Sequence, residues 1–575
     1  MNRSAQNTDS RFAVIAVVFL LITLGIISKL FILQIIEHGY YATLALNTRE
    51  IYRQLYPERG KIFFKDARTD EIHPAAINRD YHQIFAVPKE IEKEQVASTT
   101  KKLTEILAIT DLDEIKNIEN KLSKQNDPYE PVAKKIDDDI WQKIQELNMP
   151  GIYSSPEEWR YYPEKETGSS ILGFARREDE RQVGNYGIEG YWNKTLAGQE
   201  GFLLGEKSAL GSIISLAGQT LKDAQPGSDI ILTIDRALET ELCSYLRDGL
   251  EEYQTKSAAL VLMNPQTGAI LAMCSAPDFD PNNYSAANEI DNYNNTTIFT
   301  PYEPGSVFKP ITVAMAIDQN LTTPNSYFDD PCQRKIDGFT IKNAMQKCYG
   351  TITMTEALEN SVNTAMIYLE EKMGSKNFLQ YVKKFGFGEK TGLRLNTEEP
   401  GNISSLEKTG QVYGAVASFG QGITVTPLQI AVAYSAIANG GKLPKPIIVS
   451  EIQHPNGQTE KTTPQTTDTV VSARAAKLTA GMMVSVIEST HGQTARLNHY
   501  FMAGKTGTAQ IAGPGGYTEE TNHTFAGFGP AEKPELVLVV KYESPQRQWA
   551  ESTASLTFKK SMDFALKYLG LTEER

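Results

Sequence analysis

Residues 303–317 read EPGSVFKPITVAMAI, a sharp turn followed by an apolar run. The run has no polar face, which predicts a helix that is buried on all sides, and Pro310 is tolerated only in the first turn of such a helix. Ser306 and Lys309 are three residues apart, so their side chains would share one face at the start of the helix. A serine becomes nucleophilic when a neighbour takes its proton, and a lysine can do so if burial or nearby cations lower its pKa. The stretch therefore predicts an activated serine.

The SxxK spacing alone is weak evidence, because it occurs twice more in this chain. Ser98 with Lys101, and Ser405 with Lys408, have the same spacing in charged, solvated surroundings. A bare SxxK is ordinarily an exposed serine with an unrelated lysine. Ser306 differs in having a Pro-Gly turn before it and an apolar helix after it. The prediction of a nucleophile is therefore restricted to Ser306.

Length and charge limit the classes of function. A chain of 575 residues is too long for one core, so two or three domains are expected. The net charge of -13 comes without a basic stripe, which argues against nucleic acid as a partner. The four cysteines show neither CxxC spacing nor interleaved histidines. Metal-free chemistry without a cofactor is therefore the expectation.

The amino terminus predicts a membrane anchor. Residues 12–36 are apolar with few interruptions, which suffices for one tilted membrane span. Arg3 and Arg11 precede it, so the positive-inside tendency places residues 1–11 in the cytoplasm and the rest of the chain outside. A cleaved signal peptide is the alternative, but such a segment ends in small residues, whereas this one continues through Leu30 to Leu33. We therefore expect an uncleaved, single-pass anchor.

After the anchor, the sequence pattern changes near Asp229. Residues 37–225 mix short strand-like runs with charged helices and contain no candidate catalytic cluster, so we interpret them as a spacer or interaction domain. Residues 226–575 begin with a hairpin closed at Gln266 to Gly268 and end with further strands from Ala503 onward. Helices bracketed by strands from both ends of a domain indicate an antiparallel sheet with packed helices, an α+β fold.

Two further helices are predicted in this second region. A helical pattern from Thr355 to Met373 contains Ser361 and Asn363 near its start, and a closing helix spans 552–569.

The cysteines fall into two pairs. In an oxidising exterior, Cys332 and Cys348 flank a turn at Gly338 and could be bridged across a hairpin. Cys243 lies in a helical pattern and Cys274 in a strand pattern, where small buried hydrophobic residues are the simpler interpretation.

Three features of residues 226–575 converge on one chemistry. They are Ser306 with Lys309, Ser361 with Asn363, and the run Lys505, Thr506, Gly507 and Thr508. Lys-Thr-Gly occurs three times in the chain, but only this run lies in a strand pattern between small residues. Alternation along a strand would put Thr506 and Thr508 on one face, where both hydroxyls can donate to a carboxylate. Gly507 would let a neighbouring segment approach closely.

Together these motifs resemble those of the class B penicillin-binding proteins, which are monofunctional peptidoglycan D,D-transpeptidases. The SxxK, SxN and KTG set has the order and spacing of that family. The resemblance covers nearly the whole chain, in the segments PERGKIFF, RYYPEKETGSSILGF, YGIEGYWN, LTID, DFDPNNY, YEPGSVFKP, SFGQGITVTPLQIAVAY and AGKTGTAQ. It implies a transmembrane helix, an elongated pedestal of the dimerisation type at 37–225, and a penicillin-binding, β-lactamase-like transpeptidase domain at 226–575.

The resemblance also implies a role for each motif residue. Ser306 would attack the carbonyl of the penultimate D-alanine of a stem peptide, with Lys309 as the base. Ser361 would relay the proton to the leaving D-alanine. Asn363 would hold the substrate amide, and Lys505 would supply positive charge.

The strand with the KTG motif is implied to bind the substrate. Thr506 and Thr508, on either side of Gly507, would bind the terminal carboxylate of the peptide. The backbone N–H groups of Ser306 and Thr508 would form an oxyanion hole, a contribution often worth about 3 kcal/mol in acyl transfer. An amine from a neighbouring strand would then resolve the acyl-enzyme into a cross-link, and β-lactams would block the site by acylating Ser306.

Two other functions remain open from the sequence. A serine β-lactamase or D,D-carboxypeptidase shares the motifs but releases its product to water, and it needs no membrane-bound spacer domain. A catalytically silent scaffold of the wall-synthesis complex would keep the fold without a physical reason to keep Ser306, Lys309 and Lys505 together. We therefore favour the transpeptidase.

The partners follow from what the first half of the chain contains. Before Asp229 we find no paired carboxylates suited to glycan polymerisation, so a separate polymerase is expected. The resemblance implies a multi-span glycosyltransferase together with other division or elongation proteins. The length and the absence of a carboxy-terminal extension favour a septal role over elongation.

Overall fold

The computed structural model describes residues 6–37, 50–178, 180–207, 213–214, 220–287, 289–489, 492–513 and 515–575. The chain forms two compact units. One comprises Met1–Pro57 and Gln199–Pro226, and the other comprises Glu58–Gly198 and Gly227–Arg575. All the predicted site residues lie in the second, larger unit.

The smaller unit contains the predicted anchor. An α-helix at Gln6–Phe31 continues as a π-helical turn at Ile32–Ile36. The stretch Ala16–Ile36 has a mean hydropathy of 2.6, is exposed, and is long and apolar enough to cross a membrane. The unit also has a small antiparallel sheet, with strands at Glu50–Leu55, Gly201–Lys207, Ile213–Ile214 and Thr220–Lys222.

A mixed seven-stranded sheet runs through the amino-terminal part of the larger unit. Its strands are Ile62–Lys65, Ile72–Ala86, Glu130–Ile136, Ile152–Tyr161, Asp229–Leu232, Val449–Gln453 and Thr459–Lys461. Ile62–Lys65 pairs in parallel with Asp229–Leu232, which pairs on its other side with Val449–Gln453. The sheet therefore joins three segments that are far apart in the sequence.

Short helices and a hairpin complete this part of the unit. The helices are Val96–Ile106, Leu112–Leu122, Asp138–Glu146, Ser169–Leu172, Gly187–Tyr191 and Asn193–Ala197, and the hairpin strands are Phe174–Glu178 and Arg181–Asn185. The first three helices and the end of the long strand Ile72–Ala86 share a separate small core that includes Leu103, Ile118 and Ile144.

A buried ionic cluster connects three of the segments that carry the family resemblance. Glu189 is fully buried; one carboxylate oxygen accepts from Arg59 Nε at 2.8 Å and the other from Arg160 Nε at 2.6 Å. Burial alone would raise the pKa of Glu189, but the charges and hydrogen bonds of Arg160 and Arg59 lower it. The cluster thus fixes three distant segments to one another by charge-assisted hydrogen bonds.

Five antiparallel strands form the central sheet of the larger unit. We number them in chain order as β1 (Ser257–Met263), β2 (Ile270–Ala276), β3 (Ala503–Gly513), β4 (Gly516–Gly529) and β5 (Leu536–Glu543). The order across the sheet is β2-β1-β5-β4-β3, with every neighbouring pair antiparallel. Two strands come from the start of the region and three from its end, which confirms the α+β prediction.

The central sheet separates two hydrophobic cores. Along β1, Val261 and Met263 point into one core while Leu260 and Leu262 point into the other, as the two-residue period of a strand requires. Helices at Lys309–Asp318, Asn363–Met373, Ser375–Lys384, Gln411–Ala417, Pro427–Ala438 and Ala473–Glu488 contribute to the first core, and Arg236–Glu252 and Ala554–Tyr568 to the second. The sheet is therefore covered on both faces.

Short elements complete the larger unit. They are two further helices at Thr296–Phe299 and Met354–Glu359, and strand pairs at Tyr327–Asp329 with Thr351–Thr353, Gln333–Ile336 with Phe339–Lys342, and Lys442–Pro444 with Thr466–Thr469.

The helix predicted from residues 303–317 is present and buried on all sides. Every residue from Lys309 to Ile317 is buried. The prediction of one continuous helix from Thr355 to Met373 is wrong, because the structure has two helices, Met354–Glu359 and Asn363–Met373, separated by a non-helical segment. The break contains Ser361 in a left-handed conformation, with φ 54°. A non-glycine residue in that region ends a right-handed helix.

Both cysteine pairs form disulfides. Cys332 and Cys348 are bridged across the hairpin between them, as the flanking turn suggested. The interpretation of Cys243 and Cys274 as unpaired buried residues is wrong, since these two are also bonded. They are buried, and the helix Arg236–Glu252 packs on β2 so that their Cα atoms lie 5.3 Å apart, within the range a disulfide spans. Glu239 lies beside this bridge, but bonded sulfurs offer no thiolate to a metal.

Candidate active site

Ser306 lies at the mouth of the buried helix. It belongs to a 3-10 turn at Gly305–Phe308 that leads directly into Lys309–Asp318, and it is only partly buried. Strand β3 runs alongside this turn. A Cβ atom at Gly507 would lie 3.0 Å from the carbonyl oxygen of Pro304 and 3.1 Å from Val307 Cγ1. The close approach predicted for Gly507 is therefore present, and the approaching segment is the turn that carries the serine.

Lys309 points into the break between the two helices. Its side chain is fully buried. Nζ donates to Asn363 Oδ1 at 2.7 Å, to Ser361 Oγ at 3.0 Å and to the carbonyl oxygen of Ser361. The helix break therefore supplies the partners that a buried amine needs.

Ser361 connects the lysine to the predicted nucleophile. Its Oγ lies 2.9 Å from Ser306 Oγ as well as 3.0 Å from Lys309 Nζ. Among the hydrogen bonds of the described residues, Lys309 reaches Ser306 through Ser361 and not directly. The left-handed backbone of Ser361 allows one residue to turn both its carbonyl and its hydroxyl toward the amine. Strain of this kind is typical of functional sites.

Two buried lysines determine the electrostatics of the site. Burial and the positive charge of Lys505 hold the pKa of Lys309 well below its ordinary value. Burial lowers the pKa of Lys505 to about 8, although the carboxylate of Glu551 acts in the opposite direction. A lysine that loses its proton near neutral pH can act as a base. The downward shift in the pKa of Lys309 is in the direction that a base requires, and a pKa of about 8 leaves Lys505 largely charged at neutral pH.

The side chains of the KTG strand alternate as predicted. Lys505 and Gly507 are buried, whereas Thr506 and Thr508 are partly exposed on the opposite face. Lys505 Nζ donates to the carbonyl oxygen of Thr506 at 3.1 Å and to its hydroxyl at 3.4 Å. The lysine thus brings its charge next to the hydroxyl of Thr506, which is an arrangement suited to a carboxylate ligand.

Family models match most of the chain. The model described as penicillin binding protein transpeptidase domain matches residues 258–563, and the model described as penicillin-binding protein dimerisation domain matches residues 54–232. The chain belongs to the penicillin-binding protein family. This confirms the family inferred from the motifs.

This penicillin-binding protein has curated relatives, among them one named as a peptidoglycan D,D-transpeptidase. It is 32% identical over 495 residues to stage V sporulation protein D of Bacillus subtilis strain 168, covering 85% of this chain and 75% of that protein. It is 30% identical over 499 residues to peptidoglycan D,D-transpeptidase FtsI of Escherichia coli strain K12, covering 86% of this chain and 80% of that protein.

Solved structures share the fold. A peptidoglycan synthetase from Bifidobacterium adolescentis ATCC 15703 superposes with a TM-score of 0.71 at 25% identity, covering 92% of this chain and 98% of that chain. Penicillin binding protein 2X from Streptococcus thermophilus superposes with a TM-score of 0.73 at 22% identity, covering 91% of this chain and 81% of that chain. Both cover the helix-and-sheet arrangement described above.

Sequence reasoning missed a set of residues that supports the SxN motif of this penicillin-binding protein. Thr364, directly after Asn363, donates its hydroxyl proton to Asp330 Oδ1 at 2.7 Å, and its backbone N–H donates to Asn343 Oδ1 at 3.1 Å. Asn343 in turn donates to both oxygens of Asp330. Nothing in the local sequence indicated these residues, because they flank a hairpin and precede Thr364 by 21 and 34 positions.

Two acidic residues at the rim were also missed. Glu303, in the segment quoted first, accepts from the backbone N–H of Gly422 at 3.0 Å and from the hydroxyl of Tyr517 at 3.0 Å. Glu551 accepts from the hydroxyl of Thr506 at 3.2 Å. The first of these has a local signal, its place before the Pro-Gly turn, whereas the second has none.

Proposed function

We propose that this protein is a peptidoglycan D,D-transpeptidase that cross-links stem peptides through an acyl-enzyme on Ser306. The observation that carries the proposal is the hydrogen-bonded row of Ser306, Ser361 and Lys309, which ends at a buried amine of lowered pKa. Such a row activates a hydroxyl that is otherwise a poor nucleophile. Family membership supports the same chemistry.

The proposed acylation moves one proton and exchanges one bond. Ser306 Oγ bonds to the carbonyl carbon of the penultimate D-alanine, and its proton passes through Ser361 to the neutral amine of Lys309. The C–N bond to the terminal D-alanine then breaks. The same proton returns through Ser361 to the leaving amine, which makes Ser361 the relay in both directions.

The second half of the proposed reaction is the reverse with a different amine. An amino group of a neighbouring stem peptide attacks the ester and loses a proton to the same relay, and Ser306 is released. β-Lactams acylate Ser306 by the first half-reaction and lack a leaving group that departs from the site. They therefore inhibit the enzyme.

The proposed substrate contacts surround this row. Asn363 holds the peptide amide, and Lys505 provides positive charge. Thr506 and Thr508 bind the terminal carboxylate, with Gly507 allowing the strand to lie close to the serine. The backbone N–H groups of Ser306 and Thr508 form the oxyanion hole.

The proposed domain organisation follows the sequence analysis. Residues 1–11 are cytoplasmic, 12–36 anchor the protein in the membrane, 37–225 form the pedestal, and 226–575 form the transpeptidase domain outside the membrane. The partner is a multi-span glycosyltransferase that polymerises glycan strands, together with other proteins of the wall-synthesis complex. We assign the enzyme to septal synthesis, which the similarity to FtsI supports.

Labelling with a fluorescent penicillin tests the proposal. The full-length protein in detergent is incubated with the label and followed for hours, next to Ser306→Ala and to Ser98→Ala as a matched control from one of the bare SxxK sequences. We expect a long-lived adduct on the wild type and on Ser98→Ala, and none on Ser306→Ala. Rapid loss of label would indicate a β-lactamase, and no label on the wild type would indicate a scaffold.

A further inference from the structure

Glu551 is a carboxylate beside the predicted carboxylate-binding strand, and the mechanism above gives it no role. It lies in a 3-10 turn at Ala550–Ser552, just before the last helix, and is partly buried. The hydroxyl of Thr506 donates to its Oε1 at 3.2 Å. It also lies close enough to Lys505 to influence the charge state of that lysine. A negative group thus lies where a negative ligand is expected.

The hydrogen-bonding capacity of Thr506 makes this contact consequential. A threonine hydroxyl has one proton to donate. The oxygen accepts from Lys505 Nζ at 3.4 Å, and the proton is directed to Glu551. A ligand carboxylate can only accept hydrogen bonds, so it bonds to this hydroxyl only after the hydrogen bond from Thr506 to Glu551 is broken. Two carboxylates at one set of donors also repel each other.

The turn that carries Glu551 is fixed to the same strand. The backbone N–H of Ala550 donates to the hydroxyl of Thr508 at 3.2 Å. On the other side of the turn, Thr553 Oγ1 lies 2.9 Å from Nδ1 of His523, and both residues are fully buried. His523 is the β4 residue paired with Thr508 in the sheet. The position of Glu551 is therefore set by the strand that carries the proposed ligand donors.

We propose that Glu551 is a specificity-determining residue of this site, whose carboxylate competes with the terminal carboxylate of the acyl-donor peptide for Thr506. The inference rests on the proposed function, because it takes Thr506 as part of the carboxylate subsite. An anionic ligand has to displace Glu551 before it reaches the hydroxyl. The site thereby selects ligands whose other contacts contribute more binding free energy than the displacement of Glu551 costs.

A pair of ligands that differ only in charge tests the inference. Benzylpenicillin has a carboxylate, and its methyl ester is neutral. The rate constant for acylation of Ser306 by each is measured with full-length protein in detergent, for the wild type, Glu551→Gln and Glu251→Gln. Glu251 is exposed in the last turn of the helix Arg236–Glu252, so its substitution controls for the loss of one negative charge. The assay is run at pH 6, below the pKa of Lys505 of about 8, so that this lysine stays charged.

The ratio compared is the rate constant for acylation by benzylpenicillin divided by that for its methyl ester. We expect Glu551→Gln to raise this ratio about ten-fold, and Glu251→Gln to leave it unchanged. An unchanged ratio in Glu551→Gln, or an equal change for both ligands, overturns the inference while the proposed function stands. If the wild type is acylated by neither ligand, the proposed function fails and the inference with it. Glu551→Ala, which also removes the charge, replaces Glu551→Gln if that variant does not fold.

Discussion

Ser361 Oγ lies 2.9 Å from Ser306 Oγ, and the residue that makes this contact is held at a φ of 54° between two helices. The position of the relay therefore depends on the break between the two helices. In the same residue the carbonyl oxygen accepts from Lys309. The contact between the two serines and the burial of the lysine are thus two results of one local backbone conformation.

Replacing Ser361 with alanine removes the relay. We expect the rate of acylation by a fluorescent penicillin to fall by about 10²-fold or more, which is the range that proton transfer contributes. The thermal midpoint should change little, since the side chain is only partly buried. Ser405→Ala, which changes the serine of another SxxK sequence, is the control and should be acylated at the wild-type rate. A Ser361→Ala protein that acylates at the wild-type rate would show that Lys309 acts on Ser306 without the relay.

The acylation rate should depend on pH through the two lysines. Lys309 has to be neutral, so the rate rises with pH as it loses its proton, and its lowered pKa places that rise below the usual range for lysine. Lys505 has to be charged, so the rate falls again as the pH passes about 8. Rate constants for acylation from pH 5 to pH 10 measure both limbs.

Lys505→Arg separates the two lysines. Arginine keeps its charge throughout this range, so this variant should lose the falling limb and keep the rising one. A wild-type profile that is flat between pH 6 and pH 10 would contradict the assignment of both residues.

Replacing Glu189 with glutamine leaves two buried arginines without a counter-charge. We expect the variant to lose about 3–5 kcal/mol of unfolding free energy, the cost of breaking a buried ionic cluster, measured by urea denaturation. Glu407→Gln breaks an exposed pair with Lys383 and should have little effect.

The same cluster predicts a pH dependence. The pKa of Glu189 is lowered in the folded protein, so its contribution is present above the ordinary pKa of a glutamate and is lost as the pH falls through the folded value. The difference in unfolding free energy between the wild type and Glu189→Gln should therefore become smaller as the pH is lowered. A difference that is constant down to pH 3 would argue that packing, and not charge, is lost in the variant.

Gly507→Ala tests the close approach of strand and serine turn. The added methyl group would meet the carbonyl oxygen of Pro304 and the side chain of Val307, so the turn has to shift. Since a displacement of about 1 Å can cost 10²-fold in rate, we expect acylation to fall by at least about ten-fold. Gly481→Ala, at a helical position with open space around the glycine, is the control. Equal rates in the two variants would mean that the turn tolerates the shift.

The parts of the site that follow local periodicity were predictable from the sequence. The apolar run after Ser306 required a buried helix, and alternation along β3 required Thr506 and Thr508 to share a face. In both cases the relevant physics acts between residues a few positions apart. The fold class followed in the same way from strands at both ends of the region.

The parts that depend on distant contacts were not predictable. The break at Ser361 interrupts a sequence with a good helical pattern, and its carbonyl is bound by a lysine 52 positions earlier. The bond between Cys243 and Cys274 depends on how a helix packs on β2. Glu551 follows Thr506 by 45 positions and is not part of any of the motifs identified in the sequence. In each case the deciding neighbour is brought close by tertiary packing alone.

The parallel pairing of Ile62–Lys65 with Asp229–Leu232 has a practical consequence for dissecting the molecule. A fragment that began at residue 226 would keep the central sheet and the row of serines and lysine. It would also leave one edge of Asp229–Leu232 without its partner strand, and unpaired strand edges promote association between chains. The amino-terminal segment thus completes a sheet to whose strands none of the proposed catalytic residues belongs, and we expect a soluble fragment of this enzyme to require a start before residue 62.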